Sequence, residues 1–96
     1  MKNRFDISEF VDTETLDTVL ENLAARLKKR RKETGFSQTE LAKRSGVSYI
    51  SVRRLETGGE VSLKVLMKIA ETLGCLADFS ELFKNPIIKD LGDYKP

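Results

Sequence analysis

Ninety-six residues provide for one small domain with a single hydrophobic core. A 40% hydrophobic and 33% charged composition fits a soluble helical chain, and its apolar runs are far too short to span a bilayer. One cysteine and no histidine exclude a disulfide framework and a Cys/His zinc site, and the net charge of +2 conceals a strong asymmetry along the chain.

Residues 22–55 carry ten Lys/Arg against Glu33 and Glu40, a net +8, and the remainder carries −6. Such a focused block is the electrostatic footprint of a nucleic-acid face. The opening MKNRFDISEF lacks the apolar stretch of a signal peptide, so a reducing cytoplasm is the expected compartment.

Residues 1–12 hold Phe5, Ile7, Phe10 and Val11 without helical order and read as an N-terminal arm lying on the body or on a second subunit. A domain over 13–84 follows. Asp12 or Thr13 is positioned to cap a first helix whose apolar set is Leu16, Val19, Leu20, Leu23, Ala24 and Leu27, at i, i+3, i+4, i+7 spacing. That helix ends in Lys28-Lys29-Arg30-Arg31-Lys32, with Gly35 suited to the C′ position. The cations suit both the helix dipole and phosphate contact.

The stretch SQTELAKRSGVSYISVRRLE, residues 37–56, has the punctuation of two short helices joined by a tight turn. Ser37 and Glu40 form an S-x-x-E capping box, and Phe36 and Leu41 stand where a hydrophobic staple packs. Gly46 follows the first short helix where a left-handed turn needs no Cβ. Ser48 caps the second, with Val47 and Val52 as its staple.

At 100° per residue, Ser48, Val52, Leu55 and Glu56 share one side of this second helix and Ile50, Arg53 and Arg54 point to the other. An outward isoleucine between arginines suits a major groove, where arginine meets guanine O6 and N7 and an apolar group meets a thymine methyl. An ordinary solvated helix face is the alternative reading. The paired caps, the glycine turn and the buried set favour DNA.

Gly58 and Gly59 then allow a sharp exit and a close backbone approach to a phosphate. Ser62 caps a fourth helix, stapled by Val61 and Leu66, with Leu63, Leu66, Met67, Ile69, Ala70 and Leu73 as its apolar residues and Gly74 at its end. Cys75 reads as a small core residue. Asp78 and Glu81 read as a D-x-x-E box opening a short fifth helix with Leu82 and Phe83, and residues 85–96 as a C-terminal tail. Asn85-Pro86-Ile87-Ile88 is a weak candidate for a strand pairing with another chain.

LKKRRKETGFSQTELAKRSGVS, SVRRLETGG and SLKVLMKIAETLG together resemble the lambda-repressor-like, Cro- and XRE-type helix-turn-helix domain, over residues 23–83. The resemblance implies an all-α, lambda-repressor-like five-helix bundle binding operator DNA as a homodimer. It implies base reading by Tyr49, Ile50 and Arg54, with Arg53 adjacent. Gln38 and Ser48 would meet phosphates, Gln38 also bracing a side chain of the recognition helix, and Lys64 would meet the DNA backbone. Arg31 and Glu56 match a family ion pair, which makes Glu56 structural. Small polar or amide residues are common in the family where this chain has Tyr49 and Ile50; the aromatic–aliphatic pair would favour thymine-rich steps, unless Tyr49 packs back across the turn.

The run GGEVSLKVLMKIAETLGCLADFSELF is similar to HipB-like regulators, often encoded beside HipA-type kinase toxins, and implies an antitoxin with a HipA-like kinase as partner. A plain autoregulating repressor is the companion reading. Catalysis is not expected: no nucleophile motif and no phosphate loop is present, and Glu9, Asp12, Glu14 and Asp17 suit a helix N-terminus. No cofactor, metal or membrane association is expected. A protein-interaction module that has lost DNA binding is the competing function, against which the retained Arg53 and Arg54 weigh. The resulting expectation is a cytoplasmic, prokaryotic nucleoid-associated transcriptional regulator, a repressor by promoter occlusion. Its apolar region Leu76–Phe83 is the candidate dimer surface.

Overall fold

Serine and threonine oxygens set four of the five helix starts in the computed structural model, which describes residues 14–87. The helices are α1 (Leu16–Glu33), α2 (Gln38–Ser45), α3 (Tyr49–Glu56), α4 (Leu63–Thr72) and α5 (Ala77–Ser80), and no strand occurs among the described residues. The expected N-terminal arm, with Asp12 and Thr13, and the tail beyond Ile87 lie outside them.

The cap of α1 is Thr15. Its Oγ1 accepts from the Thr18 amide at 3.1 Å, and the Thr15 amide donates to Thr18 Oγ1 at 2.9 Å. This reciprocal box satisfies two N–H groups at once, so the cap falls two residues after Thr13 and the helix begins at Leu16. Ser37, Ser48 and Ser62 accept from the amides of Glu40, Ser51 and Val65 at 3.0, 3.0 and 3.1 Å. Each such cap contributes about 1 kcal/mol. The Ser37–Glu40 box closes on one side only, because the Glu40 carboxylate pairs with Arg44 at 3.0 Å, one helical turn on. Gly46 ends α2 at φ 77°, and no atom lies within 4 Å of where its Cβ would stand. The demand there is for backbone conformation alone.

The core gathers Leu27 from α1, Leu41 and Ala42 from α2, Val52 and Leu55 from α3, Ile69 from α4 and Leu73 at the C-cap of α4. Leu41, Val52 and Ile69 are fully buried, each worth roughly 1.5–3 kcal/mol. Phe36, Val47, Val61, Leu66 and Cys75 pack around them, as their staple and core readings require. Val65 joins this shell from α4, whereas Leu63 in the first turn stands 66% exposed.

The N-terminal half of α1 departs from its expected core role. Ala24 and Leu27 are buried, but Leu16, Val19 and Leu20 are exposed, Val19 on an open groove that Phe79 and Leu82 also line. The D-x-x-E reading of α5 is also corrected. The helix starts at Ala77, before Asp78, its cap position Leu76 makes no side-chain cap, and Leu82 and Phe83 fall beyond its end. Phe83 adopts φ 61° with its ring fully in solvent.

Candidate nucleic-acid interface

α3 is held with one side inward by packing and by one buried ionic contact. Val52 and Leu55 enter the core, and the carboxylate of Glu56 receives three hydrogen bonds. Arg31 donates from Nε to Oε2 at 2.6 Å and from Nη2 to Oε1 at 3.0 Å, a bidentate fork. Gln38 Nε2 donates to Oε1 at 2.9 Å. Arg31 Nη1 donates to the Phe36 carbonyl at 2.9 Å, which ties the same guanidinium to the loop before α2. One cation thus fastens α1, the α1–α2 loop and α3, and Gln38 adds α2.

The ion pair has side-chain exposures of 8% for Arg31 and 2% for Glu56. Burial by itself would raise the Glu56 pKa. The hydrogen bonds from Arg31 and Gln38, with the charges of Arg31 and Lys28, outweigh it and hold the carboxyl below its ordinary range. The hydrogen bond to Glu56 correspondingly raises Arg31. Arg31 therefore leaves the run Lys28–Lys32 that contains it: it is interior, whereas Lys28, Lys29, Arg30 and Lys32 stay exposed.

With that side fixed, Tyr49, Ile50, Arg53 and Arg54 all face solvent. Tyr49 and Ile50 are 44% and 62% exposed, so Tyr49 is not buried across the turn. Arg53 lies over the Tyr49 ring, its Cζ 5.8 Å from the centroid. Ile50, Arg53, Arg54 and Thr57 line a shallow cleft of about 280 Å³. Ser48 is exposed at the N-terminus of α3, and Lys64 is exposed in the first turn of α4.

Gln38 is half-buried, and its bond to Glu56 is the bracing contact expected of it. Among the described residues this is the bond its side chain makes, which leaves one amide proton and the carbonyl oxygen. Gly58 takes φ 85° in the turn after α3. The close approach at the following residue, which sequence reasoning did not reach, is made to Arg54: the Gly59 amide donates to the Arg54 carbonyl at 2.7 Å. Only the folded turn brings these two groups together.

A profile of the helix-turn-helix family matches residues 27–79, more than half of the chain and the whole of the segment from Leu27 to Phe79 that carries this geometry. The chain belongs to the helix-turn-helix family. A Pyrococcus furiosus protein, whose name gives it an inferred role as an HTH-type transcriptional regulatory protein, is 37% identical over 71 residues. That alignment covers 73% of this chain and 19% of the relative, so the chain spans about a fifth of the relative's length. Within the matched residues of this helix-turn-helix protein, α2 and α3 are the two short helices joined by the Gly46 turn. No helix among the described residues is long and apolar enough to cross a membrane.

Proposed function

We propose that this helix-turn-helix protein is a sequence-specific DNA-binding transcriptional regulator that acts as a repressor on a two-fold operator. The observation that carries this reading is the two-sided build of α3. Val52, Leu55 and Glu56 lock one side into the fold, and Tyr49, Ile50, Arg53 and Arg54 are left free on the other. A helix of this width fits the major groove of B-DNA, about 12 Å across.

Arg53 and Arg54 would donate to guanine edges, and Ile50 and Tyr49 would meet thymine methyls. Gln38, Ser48, Lys64 and the backbone at Gly58 would hold phosphates, which sets position without reading sequence. Two copies would place their α3 helices about 34 Å apart in successive major grooves. The exposed Leu16, Val19 and Leu20 of α1 with Leu82 and Phe83 supply uncovered apolar surface for such a pairing. The finer reading, an antitoxin that also holds a HipA-like kinase, rests on the similarity of residues 58–83 to HipB-like regulators; co-purification with the product of the neighbouring gene tests it.

Selection of bound duplexes from a random DNA pool tests the regulator reading. Enrichment of a two-fold motif, with half-sites centred about ten base pairs apart, supports it. A pool that stays random after repeated rounds overturns it and leaves a module whose contacts are with proteins.

A further inference from the structure

We infer that Gly59 is a specificity-determining positioning residue: its missing side chain is the space in which the stem of Arg54 is seated, which aims that guanidinium at the DNA face. The inference rests on the reading of α3 as a DNA-recognition helix. A Cβ built on Gly59 would stand 2.6 Å from Arg54 Cγ, 3.1 Å from the Arg54 carbonyl oxygen and 3.5 Å from Arg54 Cδ. The first distance is far inside carbon–carbon contact, which lies near 3.5–4.0 Å.

The clash falls on Cγ, the first atom whose position χ1 decides, so it cannot be relieved at the flexible end of the side chain. Arg54 must leave its χ1 well. A shift of the Gly59 backbone away from Arg54 would instead stretch the hydrogen bond from the Gly59 amide to the Arg54 carbonyl, 2.7 Å long. Rotation at χ1 swings everything beyond Cβ, so the guanidinium moves by several ångströms, more than a bidentate contact to a base tolerates.

This requirement differs from that of the adjacent glycine. Gly58 has φ 85° and no atom within 4 Å of its would-be Cβ, so it serves the backbone turn. Gly59 lies outside the left-handed region, so its obstacle is space: the Arg54 stem first, and the Arg54 carbonyl oxygen beside it. The two glycines of the Thr57-Gly58-Gly59 turn thus have separate work, one bending the chain and one seating an arginine on the recognition surface.

The test is Gly59→Ala in the full chain, read in two ways. Without DNA, three-bond couplings to Arg54 Cγ report χ1. The wild type should hold one rotamer and Gly59→Ala should shift or average it. With DNA, Gly59→Ala should lose roughly ten-fold in discrimination at the base pair read by Arg54. That loss should exceed any loss on non-specific DNA, and the change should add nothing to discrimination at that base pair when made on top of Arg54→Ala. A merely structural role would weaken all sequences alike. Unchanged couplings overturn the seating of Arg54 whatever the DNA result. Shifted couplings with unchanged discrimination leave the seating intact and overturn the assignment of Arg54 to base reading.

Discussion

Replacing Arg31 by alanine should unfold this domain more effectively than any surface substitution. The variant leaves the Glu56 carboxylate, 2% exposed at its side chain, with Gln38 Nε2 as its remaining partner, and it also strips the Phe36 carbonyl of its donor. Removing one member of a buried ion pair costs about 3–5 kcal/mol, because the other charge stays desolvated. Against a total stability of about 5–15 kcal/mol for a small domain, that is a large share. For a chain of this size it corresponds to a Tm lower by more than about 10 °C. Urea unfolding at neutral pH, followed by far-ultraviolet circular dichroism, gives the difference. Arg31→Met combined with Glu56→Met should recover most of the loss, since a well-packed apolar pair replaces a buried ionic one at little cost. A loss for Arg31→Ala below about 1 kcal/mol, the range of exposed pairs, would refute the reasoning. The same carboxylate gives a sign for pH. Its folded pKa lies below the ordinary 4.5, so its stabilisation is complete above that value and is lost as pH falls through the lower folded pKa. Glu56→Gln should remove this part of the acid destabilisation.

Three further substitutions separate folding from recognition. Ser48→Ala removes the acceptor of the Ser51 amide and should lower stability by about 1 kcal/mol, seen as a Tm drop of several degrees. Arg54→Ala should cost about 1–3 kcal/mol of binding and relax base choice at one operator position; retained affinity and retained selectivity together would remove Arg54 from the groove. Lys64→Ala should weaken all sequences alike and flatten the salt slope by about one unit, as titration of binding at several salt concentrations will show.

The parts of the fold that were legible in sequence are those set by local chemistry. Ser37, Ser48 and Ser62 cap helices because a serine oxygen two or three residues ahead of an orphan amide acts within a single turn. The sidedness of α3 was legible for the same reason, since its 3.6-residue period separates Val52, Leu55 and Glu56 from Ile50, Arg53 and Arg54. Errors arose where several residues of one type compete or where tertiary extent decides. Sequence alone puts the cap at Asp12 or Thr13, whereas the Thr15–Thr18 exchange sets the start of α1. Leu16, Val19 and Leu20 have core spacing but stand exposed, because periodicity gives the side of a helix and not what packs against it. In the candidate site, the Arg31–Glu56 pair came from family resemblance combined with the wheel. The seating of Arg54 on Gly59 had no sequence signal, because two glycines in a turn look alike until the turn's φ angles and neighbours are known.

Binding of the full chain to the promoter region upstream of its own gene, against scrambled duplex and across a series of salt concentrations, tests the central claim most directly. Fluorescence anisotropy should show tight, sequence-selective binding whose logarithm falls steeply and linearly with the logarithm of salt concentration. Weak binding that is indifferent to sequence would contradict the account and would make α3 a scaffold element with a solvated basic face.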